Sequence, residues 1–393
     1  MQIILGNKMN NEIMFLFGSG ISYSSGMPNV NEITNSILND SWRKAKNGIY
    51  FESPEKNEVL DEQKFLKFVK NEIKNSFSDT RSPSQHITYE DLYSILQQID
   101  ELLGGISNCA ASAFLYNIYR NARHILPRQD NERPYSSCHP DMLLYSSKNF
   151  ISWAVASLLK KSKTVEIQGF NLFDEISNCS EVSDIDIFSL NHDLLIERYL
   201  KDRLGMNFKY LFDGIEIFDN KYIDRTKKFH LYKLHGSINW FTVLDQEKKI
   251  YNIIKPEDYI GFSGIELYKN KTNYKLNNPE PQILTGSTVK EHIYSFGIYF
   301  YMFNKFHNSL DKKNILIASG YGWNDAGINR RILHWLQYYP NSKLILLHDS
   351  RNSPIPDFIN FHICSNCLME HKFIHVNKWF KDCHLDDILA YIR

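Results

Sequence analysis

Three short segments carry side chains suited to chemistry. Asn191-His192-Asp193 follows the apolar run 184–190, and His235-Gly236-Ser237-Ile238-Asn239-Trp240 follows 229–234. A neutral amide such as Asn191 both donates to and accepts from a sugar hydroxyl or an ordered water. An imidazole such as His235 accepts a proton from such a group near neutral pH. The third segment, Gly18-Ser19-Gly20, ends the apolar run that includes Met14, and Ser22, Ser25, Gly26 and Pro28 follow it. Glycines let the backbone approach a pyrophosphate and leave N–H groups to point at it, while a helix start adds a favourable partial charge. Taken singly, each segment has a plain structural explanation. Asn-x-Asp after a strand caps a helix, His-Gly makes a turn, and Gly-Ser-Gly lacks the GxGxxG spacing of dehydrogenases.

The positioning elements are short apolar runs closed on their carboxyl side by glycine or small polar residues, the pattern of buried strands. Besides the three above, 314–319 leads into Gly320-Tyr321-Gly322-Trp323-Asn324-Asp325, and 343–347 into His348-Asp349-Ser350. In an open parallel α/β sheet, ligands sit beyond the carboxyl ends of the strands. The Gly18, Asn191, His235 and Gly320 turns are therefore expected to face one pocket. Helices are expected at 30–38, 62–73, 109–125 and 141–159, and one after Thr88, where Asp91 completes a capping box and Leu92, Ile95, Leu96, Ile99, Leu102 and Leu103 make one apolar face. Tyr89, Glu90 and the aromatic run 294–306 read as core, and 251–291 has no strong period and reads as an ordered loop or small excursion beside the cleft.

Four motifs, GSGISYSSGMP (18–28), SLNHDLLIE (189–197), KLHGSINW (233–240) and GYGWNDAGIN (320–329), resemble in order and spacing the series of the sirtuin superfamily. The HGSxNW form and the late GYxxxDxxIN form are similar to the sirtuin-like NAD hydrolases of bacterial anti-phage defence. The resemblance implies an α/β fold: a Rossmann-like parallel sheet flanked by helices, in a discontinuous NAD-binding domain of residues 1–40 and 170–393. A helical insertion domain, 41–169, interrupts it, and the cofactor lies in the cleft between the two. It further implies that Asn191 and His235 are catalytic and that Asp193 holds the nicotinamide carboxamide. Gly18, Ser19, Gly20 and Ser22 would form the phosphate and ribose loop, and Gly320 and Tyr321 the loop near the adenosine half. Gly236, Ser237 and Asp325 complete the expected NAD-binding set, although Asn324 and Asp325 are equally suited to cap a helix beginning near Ala326.

The implied reaction is cleavage of NAD, as substrate, to nicotinamide and ADP-ribose. The leaving pyridinium is neutralised as it departs, so no acid is needed and the paired carboxylates of ordinary glycosidases are dispensable. Two departures from the deacylases leave room for water: Asn29-Val30-Asn31 replaces their Asp-Phe-Arg, and Leu190 replaces the glutamine before their asparagine. NAD depletion in abortive infection is the role the resemblance implies. An NAD-dependent protein deacylase and a non-catalytic module binding NAD or ADP-ribose are the alternatives. A depleting enzyme needs restraint, which points to a homo-oligomer and to a HerA-type ATPase or other defence partner.

Bulk properties limit the partners. The 393 residues carry 45 Lys and Arg against 45 Asp and Glu, so no global field draws the chain to nucleic acid or to an acidic membrane. Arg120, Arg123, His124, Arg128 and Arg133 form a modest basic cluster that reads as a solvated face. The opening residues have no basic-then-apolar leader, and six scattered cysteines fit a reducing cytoplasm. Cys364 and Cys367 have metal-ligand spacing, followed by His371, His375 and Cys383, but the second knuckle of a zinc site is missing and no metal is expected.

Overall fold

The computed structural model describes residues 11–39, 41–45, 48–53, 59–76, 87–105, 111–125, 139–205, 215–217, 228–256, 272–277, 280–286, 290–366 and 369–392. Six strands make the central sheet: β1 (Asn11–Phe17), β2 (Val182–Ser189), β3 (Phe229–Lys233), β4 (Ile315–Ser319), β5 (Lys343–Leu347) and β6 (Phe373–Val376). They lie in the order β6-β5-β4-β1-β2-β3, and every pairing is parallel. Read from β3, this is the 3-2-1-4-5-6 order of the doubly wound Rossmann arrangement. The chain builds outward from β1 to β3, then crosses back to lay β4 on the other side of β1. That reversal opens a crevice between the carboxyl ends of β1 and β4.

The strands β1, β4 and β5 are largely apolar because helices cover both faces of the sheet, whereas β2 and β3 also carry Asp184, Asp186, His230 and Lys233. Alternation still decides which residue goes where. Ile13, Phe15, Phe17, Ile185, Ile187, Ile315 and Ile317 face one core, whereas Met14, Leu16, Phe188, Leu316 and Ala318 face the other. The first core is dense in rings: Phe17 meets Phe173 at 5.7 Å and Phe380 at 4.8 Å between centroids. Such a fully buried phenylalanine contributes about 1.5–3 kcal/mol through burial. The second face is covered by the helices Gly297–Lys312 and Ala326–Tyr338, through Phe303, Phe306, Ile328, Ile332 and Trp335.

Between β1 and β2 lie α1 (Val30–Ile37), α2 (Asp61–Ser76), α3 (Tyr89–Leu103), α4 (Ser112–Asn121) and α5 (Pro140–Leu159). Asn29 and Glu32 start α1 with a reciprocal capping box, at 2.9 and 2.8 Å. Asp91 accepts from the Thr88 N–H at 2.9 Å and starts α3 where the sequence places it. An antiparallel hairpin, Trp42–Lys44 with Tyr50–Glu52, sets Trp42 and Tyr50 against Phe150 of α5.

One sequence expectation is revised. Part of the segment 251–291 is sheet: Phe241–Asp245 and Ile250–Pro256 pair as a hairpin, with Tyr274–Leu276 and Ile215–Ile217 on its two edges. The turn has neither Asn-Gly nor Asp-Gly, the usual signal. Instead Asp245 Oδ1 accepts from the N–H groups of Glu247 and Lys248, at 3.0 Å each, and Lys249 adopts φ 56°. Among the described residues no helix is long and apolar enough to cross a membrane.

Candidate active site

The crevice holds a cavity of about 810 Å³, within the size range of ligand pockets. Its sheet side is made by Gly18, Ser19 and Ser22 after β1, Asn191, His192 and Asp193 after β2, His235 after β3, and Tyr321, Gly322, Asn324 and Asp325 after β4. Its other side is made by the helices between β1 and β2, with apolar residues such as Ile73, Ile95 and Phe114 beside polar ones such as Thr88, Glu90 and Gln98. The four turns singled out by sequence meet at one cavity, in the cleft between sheet and insert. Asn191 and His235 share its wall.

The Asn191 side is wired residue by residue. Ser22 Oγ donates to Asp193 Oδ2 at 2.7 Å, and Asn191 Nδ2 donates to Ser22 Oγ at 3.1 Å. Asp193 Oδ1 accepts from the Leu195 N–H at 3.0 Å, so this carboxylate clamps the first loop to the start of the helix Leu195–Leu204. Burial raises the Asp193 carboxyl, opposed chiefly by the charge of Lys233. Lys233, buried on β3, bonds the Asp193 carbonyl and pairs with Glu197 at 2.9 Å. With its amide nitrogen fixed on Ser22, Asn191 keeps its Oδ1 buried and without a hydrogen-bond partner. A buried acceptor in that state carries a desolvation cost of about 1–3 kcal/mol.

His235, on the same side of the cavity, is buried with Asp325. Its Nε2 lies 3.0 Å from Asp325 Oδ2 and 2.7 Å from the hydroxyl of Tyr294. Burial, and next the charge of Lys290, lower the His235 pKa, so the ring is neutral at pH 7. Burial alone would raise Asp325, but the bonds and charges of His235, Lys290 and Tyr294 outweigh it and hold the carboxyl well below the usual range. Asp325 also caps the helix Ala326–Tyr338, its Oδ1 accepting from the Ile328 N–H at 3.1 Å. Asp325 thus caps the helix with one oxygen and holds His235 and Tyr294 with the other. Tyr321 braces the same loop, its hydroxyl donating to Asn329 Oδ1 at 2.8 Å and accepting from the Asp325 N–H at 3.1 Å.

Gly20, Gly236, Ser237 and Gly320 do not line the cavity. A Cβ on Gly18 would fall 2.4 Å from the Gly320 carbonyl oxygen, and one on Gly320, at φ 63°, would fall 2.5 Å from the Ile21 nitrogen. The N–H groups of Gly18 and Gly20, expected to point at a ligand, donate to the carbonyls of Ser319 and Gly320, at 3.1 and 2.9 Å. These glycines let two loops interlock across the β1–β4 crevice. Gly236 lies against the Gln282 carbonyl, and Ser237 is fully buried, donating its N–H to that carbonyl at 3.0 Å.

Sequence reasoning missed Tyr294, Lys290 and Glu90 as site residues. Tyr294 is core, as read, but its hydroxyl reaches the His235–Asp325 pair. Lys290, the only cationic lysine or arginine in the described cavity wall, pairs at 2.9 Å with Glu90 from α3. Tyr294 and Lys290 follow His235 by more than fifty residues, with the small antiparallel sheet between, and no local pattern marks them. Among the described residues no group of three or more His, Cys, Asp or Glu could hold a metal ion. Cys179, Cys364 and Cys383 are free, whereas Cys109, Cys138, Cys367, Arg128 and Arg133 lie outside the described residues. Neither the protein-family models nor the curated proteins contain a match to this sequence.

Proposed function

We propose that this chain is a sirtuin-like NAD hydrolase, releasing nicotinamide and ADP-ribose from NAD and water. The observation that carries the reading is the meeting of Asn191, wired through Ser22 to Asp193, with the His235–Asp325 pair on the wall of one cavity at the β1–β4 crevice. Loss of nicotinamide needs a fixed pose, support for an electron-poor ribose and a water on the opposite face. Asn191 lines the cavity, where an amide suits a ribose hydroxyl or that water. Neutral His235 takes the proton as water adds, and Asp325 stabilises the resulting imidazolium. Lys290 supplies positive charge for the diphosphate.

By resemblance we place the activity in the cytoplasm, as NAD depletion during anti-phage defence, with restraint from self-association and a HerA-type ATPase. The test is nicotinamide release by the full chain, alone and with a HerA-type ATPase, with and without an acyl-lysine peptide. Peptide-independent release, abolished by Asn191→Ala with NAD binding retained, is expected. Release only with peptide would replace the reading by a deacylase. Binding without turnover in the assembled complex would replace it by a regulatory module.

A further inference from the structure

We infer that Tyr294 is a positioning residue: with Asp325 it holds the His235 ring as the Nε2–H tautomer and leaves Nδ1 as the nitrogen that accepts a proton. The consequence for turnover rests on the hydrolase reading; the tautomer rests on geometry alone. Three atoms close a triangle, with Tyr294 Oη 2.7 Å from His235 Nε2 and 2.6 Å from Asp325 Oδ2, and Nε2 3.0 Å from that same Oδ2. A carboxylate contributes no proton to these contacts, and a phenol contributes one. Were Nε2 bare, that single proton would fill one of its two contacts and leave lone pairs facing each other across the others. A proton on Nε2 removes the conflict: the phenol donates to Asp325, and the imidazole donates into the pair of oxygens.

Tyr294 is built to stay. Its ring stacks on Phe303 with centroids 3.9 Å apart and planes 5° from parallel, and the Arg331 guanidinium lies 3.6 Å from the Phe303 centroid. Gly327 leaves room for it, since a Cβ there would fall 3.0 Å from the Tyr294 ring. By donating to Asp325, the hydroxyl weakens the pull of that carboxylate on an imidazolium. The other groups facing His235 are Lys290, which disfavours the charged ring, Glu90, which favours it, and the His192 ring at 6.2 Å.

The experiment compares wild type and Tyr294→Phe, which keeps the stack and removes the hydroxyl. Two readouts are taken on the full chain: the pH profile of kcat/KM for nicotinamide release, and ¹⁵N spectra of histidine-labelled protein, with His235 assigned from His235→Gln. The inference expects wild-type His235 protonated on Nε2. In Tyr294→Phe its titration and the acid limb move up together by about one unit, the scale on which a neighbouring carboxylate acts. Wild-type protonation on Nδ1 overturns it, as does a variant whose titration is unmoved while the rate falls equally at every pH. If the spectra behave as expected and wild type releases no nicotinamide, the hydrolase reading fails and the tautomer assignment stands. Should Tyr294→Phe fail to fold, the wild-type tautomer decides alone.

Discussion

The glycine loops and the Asn191–His235 pair occupy the same crevice and do different work. Gly18, Gly20 and Gly320 are used up on one another, through a backbone approach that no Cβ would survive. Asn191 and His235 come from neighbouring strand tips and line the cavity, one as an amide held by Ser22 and the other neutral against a carboxylate. A glycine-rich turn after a strand therefore signals close approach without saying what approaches. In this fold the first thing to approach is the opposite loop. Ligand-facing polarity falls instead to side chains that look like ordinary caps and turns in the sequence.

The contrast is broken most forcefully at His235. His235→Ala is expected to lower kcat by about 10² to 10⁴, the range for loss of a general base. Binding of NAD, measured calorimetrically, should change little, while the melting temperature falls because Asp325 and Tyr294 lose a buried partner. Gly18→Ala should act on stability first. A methyl 2.4 Å from the Gly320 carbonyl forces the loops apart, and the expected cost is about 1–3 kcal/mol of stability, the usual range for overpacking. Denaturant unfolding reads it directly. A Gly18→Ala protein of full stability that had lost only NAD affinity would return the loop to the ligand.

A smaller effect concerns pH. His235 is lowered by burial and by Lys290, so it remains a neutral base below the ordinary imidazole value of about 6.5. The acid limb of kcat/KM should therefore lie below that value. His192, lowered chiefly by burial and next by the charge of His235, adds to the stability side. Both rings take up protons more readily unfolded than folded. Stability is thus complete above pH of about 6.5 and is lost as pH falls from there towards the folded values. An acid limb above the free-imidazole value would mean that Asp325 governs His235 and that burial does not.

Much of this was legible in the sequence, and the reason lies in how local each signal is. The β1, β4 and β5 runs are nearly continuous apolar stretches ended by small or polar residues, β2 alternates aspartate with isoleucine before Phe188, and Thr88 with Asp91 writes the start of α3 within four positions. The joint placement of Asn191 and His235 followed from one rule about strand ends. What escaped depends on contacts between distant segments. The hairpin turn at Asp245–Lys249 rests on side-chain bonds and a left-handed lysine in place of glycine. Gly18 and Gly320 look like a ligand cradle until both loops are seen together. Tyr294 has the burial and spacing of a core aromatic, and only its hydroxyl, aimed at residues far away in the chain, makes it more.

The finest test divides one ion pair. Lys290 and Glu90 lie 2.9 Å apart, bridge the α3 side of the cavity to the sheet side, and act on His235 with opposite sign. Lys290→Met removes a positive charge, so the imidazolium becomes easier to form and the acid limb should move up. Glu90→Gln leaves the positive charge of the lysine unopposed, so the limb should move down. Each shift should be less than about one unit, because the partner left behind offsets part of the change and Glu90 is partly exposed to solvent. Profiles of kcat/KM against pH for the two variants must then straddle that of wild type. If both variants move the limb in the same direction, the pair acts on the shape of the cavity and not on the charge of His235.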